Sequence, residues 1–201
     1  LSQPFHYLAA GSQSYAFESE DGKYVIKFFR MNRLIPNLAH YFRPQKIASR
    51  NRNLHLLFNA YKLVYERFRK ETGVLFIHLN TSNDLHMTLS VRDQEKVEHL
   101  VNLDEMRFVI QEKAEILHSR LHRLKAEQKW DELEKASSAF LELVRKRIDA
   151  GITDLDNGID QNYGFVGDRP IHIDVGRVCI GQQTGEYERI SLLLDRLVKE
   201  L

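Results

Sequence analysis

A single cysteine, Cys179, is all the chain carries, so no intrachain disulfide and no CxxC zinc or redox motif can form. Long apolar runs are absent as well; none approaches the roughly 18 residues that read as a membrane span. Nor is there an excess of one charge. The 29 lysines and arginines face 28 acidic residues, a formal net charge of +1 with a pI near 8.0, which makes no global electrostatic case for a polynucleotide partner, and no nucleic acid is expected. The only Gly-Lys, Gly22-Lys23, precedes Tyr24, so there is no GxxxxGK(S/T) phosphate loop. Internal repeats and low-complexity tracts are missing too. Compartment stays open. The cytoplasm is slightly favoured, and a chain that begins at Leu1 rather than Met is compatible with a signal or anchor upstream.

What is present is globular composition: 43% hydrophobic and 28% charged residues over 201 positions, enough to bury a core as one domain or as two lobes. Tyr7 to Phe17 and Tyr24 to Phe29 are β-rich runs on either side of Asp21-Gly22, a good turn dipeptide, and predict strand, turn, strand. Pro36 and Pro44 interrupt the next stretch. A helix follows, with Leu54, Leu57, Phe58, Tyr61, Tyr65 and Phe68 at three- and four-residue spacing and an end near Thr72-Gly73, where glycine suits a C-terminal cap. Val74 to Leu79 and Leu85 to Val91 read as strands, and Val97 to Leu103 and Phe108 to Ile110 continue the sheet. From Ala114 the period turns helical. Leu117, Leu121 and Leu124 mark one helix; Leu133, Phe140, Leu143, Val144 and Ile148 mark another that stops at Gly151. A loop rich in Asp, Asn and Gly leads to a short strand at Ile171 to Ile173 and a terminal amphipathic helix through Ile190, Leu194 and Leu201.

Several residues in this order suit phosphate chemistry, which needs a backbone cover, a cation on the phosphates and oxygen ligands for a bridging metal. Ala9, Gly11, Ser14 and Ala16 are small residues that let a hairpin backbone approach a ligand. Lys27, in Val25-Ile26-Lys27, is flanked by apolar neighbours in a strand, so its ammonium must reach solvent or an anion; alternation sets it on the face opposite Ile26 and Phe28. Glu66 is the first acidic residue after Asp21 and lies on the following helix, although at 100° per residue it lies far round from the apolar stripe. The Asp-rich loop runs Asp154-Leu155-Asp156-Asn157-Gly158 to Asp160 and Asn162, and Asp174-Val175-Gly176 follows Ile171 to Ile173.

Gly11, Lys27, Asn162, Asp174 and Gly176, in that order, resemble the protein-kinase-like superfamily at large: the glycine-rich loop, the strand lysine, the catalytic-loop asparagine and a DFG motif with Val175 in place of Phe. The resemblance implies an α+β, two-lobe fold: an N-terminal antiparallel sheet with one packed helix over about 1–113, and a reduced helical C-terminal lobe over about 114–201. It also implies ATP as ligand in a cleft between the lobes, with Gly11 and Ser14 over the phosphates and Lys27 on them. Glu66 would hold Lys27, Glu112 would lie in the hinge beside adenine, and Asn162 and Asp174 would carry Mg2+. Two departures stand out. The place of the catalytic Asp, five residues before Asn162, holds Asn157, which cannot accept a proton; Asp156 takes the role if the loop is one residue longer, with Asp154 and Asp160 as the other nearby carboxylates. Only 27 residues follow Asp174, so a peptide platform is largely missing.

Two classes of function are therefore expected. One is an atypical phosphotransferase, or a nucleotidyl transferase, acting on an unknown acceptor. The other is a pseudokinase serving as a protein-interaction module or scaffold. A zinc site at His118 and His122 is disfavoured, because no Glu lies between them in an HExxH pattern and no third ligand is evident.

Overall fold

The opening β-rich run is two strands rather than one. In the computed structural model, which describes residues 1–34, 44–156 and 158–201 and leaves aside the side chains of 44–48, β1 (Phe5–Ala10) turns at Gly11 and returns as β2 (Ser14–Ser19). Pro36 and Asn157 lie outside the described residues. The turn at Asp21-Gly22 then leads into β3 (Tyr24–Phe29), with Gly22 at φ 67°, a backbone region where a side chain would be strained. A short helix, α1 (Met31–Leu34), follows, and α2 (Pro44–Arg67) begins ten residues before the apolar stripe that predicts it. The chain continues through α3 (Arg69–Thr72), β4 (Val74–His78), β5 (Thr88–Arg92), β6 (Glu98–Asn102) and β7 (Phe108–Glu112). Gly73, left-handed at φ 64°, caps α3.

Two compact units result: Leu1–Tyr65 with Val74–Lys113, and Glu66–Gly73 with Ala114–Leu201. The first is a seven-stranded sheet in the order β4-β7-β3-β2-β1-β5-β6. All its pairings are antiparallel except β1 with β5. Period-two alternation gives β3 two different faces. Ile26 and Phe28 enter a core with Phe5, Leu89, Val91, Leu103 and Phe108. On the opposite face the Phe29 ring meets Phe58 and Tyr61 of α2, at 5.4 and 5.3 Å between centroids. Leu57, Ala60, Tyr61 and Val64 are the buried stripe of that helix.

A buried carboxylate closes the segment before β5. Asp104 accepts hydrogen bonds from the Ser82 hydroxyl and from the amides of Asp84, Leu85 and His86. These donors, Ser82 first, pull its pKa down from 3.8 to about 2. A carboxyl depressed by folding stabilises the protein above its unfolded pKa, and that contribution is lost as pH falls through the folded value. The first unit is thus expected to lose resistance to urea between about pH 4 and 2, and Asp104→Asn is expected to flatten that part of the pH profile. Urea midpoints read from the amide resonances of β5 and β7 in both proteins measure it.

The second unit contains β8 (Glu115–Ile116), α4 (Leu117–Ala126), α5 (Trp130–Asp149), β9 (Ile152–Asp154), α6 (Ile159–Asn162), β10 (Tyr163–Val166), β11 (Arg169–His172), β12 (Val178–Ile180) and α7 (Glu186–Glu200). β11, β10 and β8 form one small sheet; β12 and β9 form another. Gly164 on β10 allows the first to close, since a Cβ there would sit 2.6 Å from the Glu115 carbonyl oxygen. The whole is α+β, an antiparallel-dominated sheet with one long helix packed on it, followed by a mainly helical unit, which is the class that the resemblance implies.

Candidate functional site

The β10–β11 hairpin does the most to assemble candidate residues. Its register sets Tyr163 against His172 and Val166 against Arg169, so the residues just outside its two ends must meet. They do: the Asn162 carbonyl accepts from the amides of Ile173 (2.8 Å) and Asp174 (3.2 Å). Asp174 is exposed, with Oδ1 accepting from the Gly176 amide at 3.3 Å. Asn162 is 8% exposed, and its Nδ2 is buried with no hydrogen-bond partner. Rotating that amide presents Oδ1 in the same place. Half-buried Asp156 joins this pair, because a methyl group at Gly158 would lie 3.6 Å from both Asp156 Oδ1 and Asn162 Nδ2. The Asp156 and Asn162 side chains and the Asp174 backbone are thereby brought to one end of the hairpin. Asp160 is half-buried on α6.

Beneath this end lies a buried polar network that sequence reasoning missed. Asp154 is 3% exposed, and its Oδ1 accepts from the Asp156 amide at 2.9 Å. Its Oδ2 is 3.3 Å from His172 Nε2, close enough for an ion pair though not aligned as a hydrogen bond. Burial works against the Asp154 anion, yet the His172 ring, the Asp156 amide and Arg147 hold its pKa below the ordinary carboxylate value. His172 stacks on Tyr163, 4.3 Å between centroids and 15° between planes, and Phe140 of α5 meets Tyr163 edge-on. Burial pushes the Tyr163 phenol far up. Arg147 donates to Glu186 Oε1 at 2.8 Å and to the Ile152 carbonyl at 3.1 Å, while the Thr153 hydroxyl donates to Glu186 Oε2 at 3.0 Å. The signal for the ion pair was there to read. Arg147 continues the Phe140, Leu143, Val144 stripe of α5, and Glu186 precedes Ile190 and Leu194 at i+4 and i+8, so two opposite charges occupy apolar faces.

In the first unit, Lys27 is half-buried on β3 between Ala16 of β2 and Val109 of β7. It shares its sheet face with Phe29, the face that receives α2. Gly11 and Ser14 close the β1–β2 tip, the Gly11 amide donating to the Ser14 carbonyl at 2.9 Å. Arg30 fastens that tip: its amide donates to the Gln13 carbonyl, its guanidinium donates to the Gly11 carbonyl at 3.0 Å, and Cζ lies 4.4 Å from the centre of the Tyr15 ring. Glu112 ends β7 opposite Tyr24, and the boundary between units follows at Lys113. Glu66 is exposed, on the side of α2 turned away from the buried Leu57, Tyr61, Val64 stripe.

Among the described residues, no group of three or more His, Cys, Asp or Glu side chains could hold a metal ion, and no helix is long and apolar enough to cross a membrane. His118 and His122 stack on α4 at 6.2 Å between ring centroids.

No protein-family model matches the sequence, and no curated protein does. Among solved structures, the chain is similar to WbdD in co-crystal with the kinase inhibitor LY294002 (TM-score 0.47, 12% identity, 96% of this chain and 45% of that one). It is also similar to the Rv3197–erythromycin complex from Mycobacterium tuberculosis (0.44, 15%, 99% and 55%). A second WbdD structure, described as a bifunctional kinase-methyltransferase, gives 0.43 and 11%, over 93% of this chain and 43% of that one. The chain spans about half the length of these proteins, and the fold described above rests on its own strand order and register.

Proposed function

We propose that the protein is a kinase-like ATP and Mg2+ binder, and an atypical phosphotransferase of unknown acceptor. The observation that carries this reading is the closure of the β10–β11 hairpin, which gathers Asp156, Asn162 and Asp174. A hard dication takes oxygen ligands and keeps several waters. The exposed Asp174 carboxylate fits it, and so does Asn162 once its amide is rotated to set Oδ1 where the unpartnered Nδ2 lies. The metal, when bound, neutralises charge on the β- and γ-phosphates. The resemblance would make Lys27 the cation for the phosphates and the backbone at Gly11 and Ser14 their cover. Asp156 orients the acceptor hydroxyl and takes its proton as that oxygen bonds to the γ-phosphorus and the bond to ADP breaks.

The second reading, a pseudokinase scaffold, is favoured by the sequence of the loop itself: Asn157, which cannot accept a proton, stands five residues before Asn162, where the catalytic Asp is expected. Calorimetric titration of the chain with ATP, with and without Mg2+, separates the two. Saturable binding that needs Mg2+ supports the nucleotide reading; no heat at millimolar ATP removes it in favour of the scaffold. Asp156→Asn is expected to lower phosphate transfer while binding stays near wild type.

A further inference from the structure

We propose that Asp154 is a positioning residue, the one carboxylate that holds the Asp156 loop and the Asn162–Asp174 end of the hairpin in register. This rests on the reading of those three residues as the reacting end. Asp154 itself is unsuited to be the base. It is buried, one oxygen is engaged by the Asp156 amide, and the other faces His172. At 3% exposure it offers no oxygen to an acceptor hydroxyl arriving from solvent. What it does instead follows from where its two partners lie. Asp156 is two residues along its own loop. His172 is two residues before Asp174 and directly across the ladder from Tyr163, the neighbour of Asn162. One side chain therefore bridges both segments from below.

Asp154 is itself fixed. Its strand, β9, pairs with β12 just after Gly176, Val178 facing Asp154. Its amide points to Glu186 Oε1 at 3.4 Å, and that carboxylate is anchored by Arg147 and Thr153. The bridge thus stands on α5 and α7, elements that carry none of the candidate reacting groups. A carboxylate held by a preformed network loses little conformational freedom when it orients others.

Amide hydrogen exchange of the full chain tests this without any assay of turnover. In Asp154→Asn, a near-isosteric change that keeps an acceptor for the Asp156 amide but removes the anion facing His172, exchange at Ile173 and Asp174 is expected to rise at least tenfold. Amides in the middle of α5, at Phe140 and Val144, should change less than twofold. Asp154→Ala should add a comparable rise at Asp156. A uniform rise that includes α5 overturns the proposal and leaves Asp154 a stabiliser of the unit alone; unchanged exchange at Ile173 and Asp174 overturns it outright. Affinity for Mn2+·ATP, read by electron paramagnetic resonance, is expected to fall about tenfold in Asp154→Asn. If the wild type binds no Mn2+·ATP, the nucleotide reading fails, while the exchange data still decide whether Asp154 couples the two segments.

Discussion

Asp174→Ala is expected to abolish Mg2+-dependent ATP binding, with affinity falling at least about a hundredfold and any phosphate transfer disappearing with it. Losing a residue that merely orients a metal ligand typically costs ten- to a hundredfold in affinity, so losing a ligand should cost no less. The physical case is strong because the side chain has little structural work to do. Asp174 is exposed, and its Oδ1 accepts a long hydrogen bond from the Gly176 amide at 3.3 Å. The Asn162 contact that closes the hairpin uses the Asp174 backbone, which alanine retains. Thermal unfolding should therefore move little while binding is lost. Lys27→Ala should weaken binding less, since it removes a cation from the phosphates without removing the metal. Calorimetry of both variants with Mg2+ and ATP reads the difference. Wild-type affinity in Asp174→Ala would take this residue out of the metal site.

Arg147→Ala is expected to unfold the second unit, or nearly so. Both partners of the Arg147–Glu186 pair are 1% exposed. Burial works against the Arg147 cation, but the Tyr163, Glu186 and Asp154 groups facing it raise its pKa overall. Removing one partner of such a pair leaves an unpaired buried charge and typically costs about 3–5 kcal/mol. For a unit of this size that corresponds to a fall in Tm of roughly 12–40 °C. The truncation also strips the Ile152 carbonyl of its donor at the start of β9. Replacing both charges, in Arg147→Met with Glu186→Leu, should cost much less, because no charge is then stranded, although Thr153 loses its acceptor. Circular dichroism melts of the single and double variants decide it. A double variant as unstable as Arg147→Ala would place the loss in packing rather than in the stranded charge.

Local pattern was readable wherever neighbours along the chain decide conformation. Gly22 and Gly73 mark the turn and the cap that their residue type suggests, and β4, α4, α5 and α7 lie where the apolar period put them. The start of α2 was hidden, because Pro44 reads as an interruption while the helix in fact begins there. The two-strand nature of Tyr7 to Phe17 was masked by continuous β propensity across Gly11. β9 and β12 are three residues each, too short for alternation to register. Gly11, Lys27, Asn162 and Asp174 could be named from type and order, and the resemblance already sets Asn162 and Asp174 on one metal; the strand register adds how they meet, through the Asn162 carbonyl and the amides of Ile173 and Asp174.

The sequence by itself determined most of the succession of strands and helices, the lack of an intrachain disulfide, of a GxxxxGK(S/T) loop and of an apolar run long enough for a membrane-spanning helix, and a short set of candidate residues. Only the tertiary structure decided the surroundings of each candidate carboxylate. Asp154, Asp156 and Asp174 look alike as letters, yet one is sealed under the hairpin, one flanks Asn162 and one stands in solvent. The reason is that burial of a charge is settled by partners distant in the chain. His172, Arg147 and Glu186 reach Asp154 or its strand only after β9, β11, α5 and α7 have packed, and no local period along the loop carries that information.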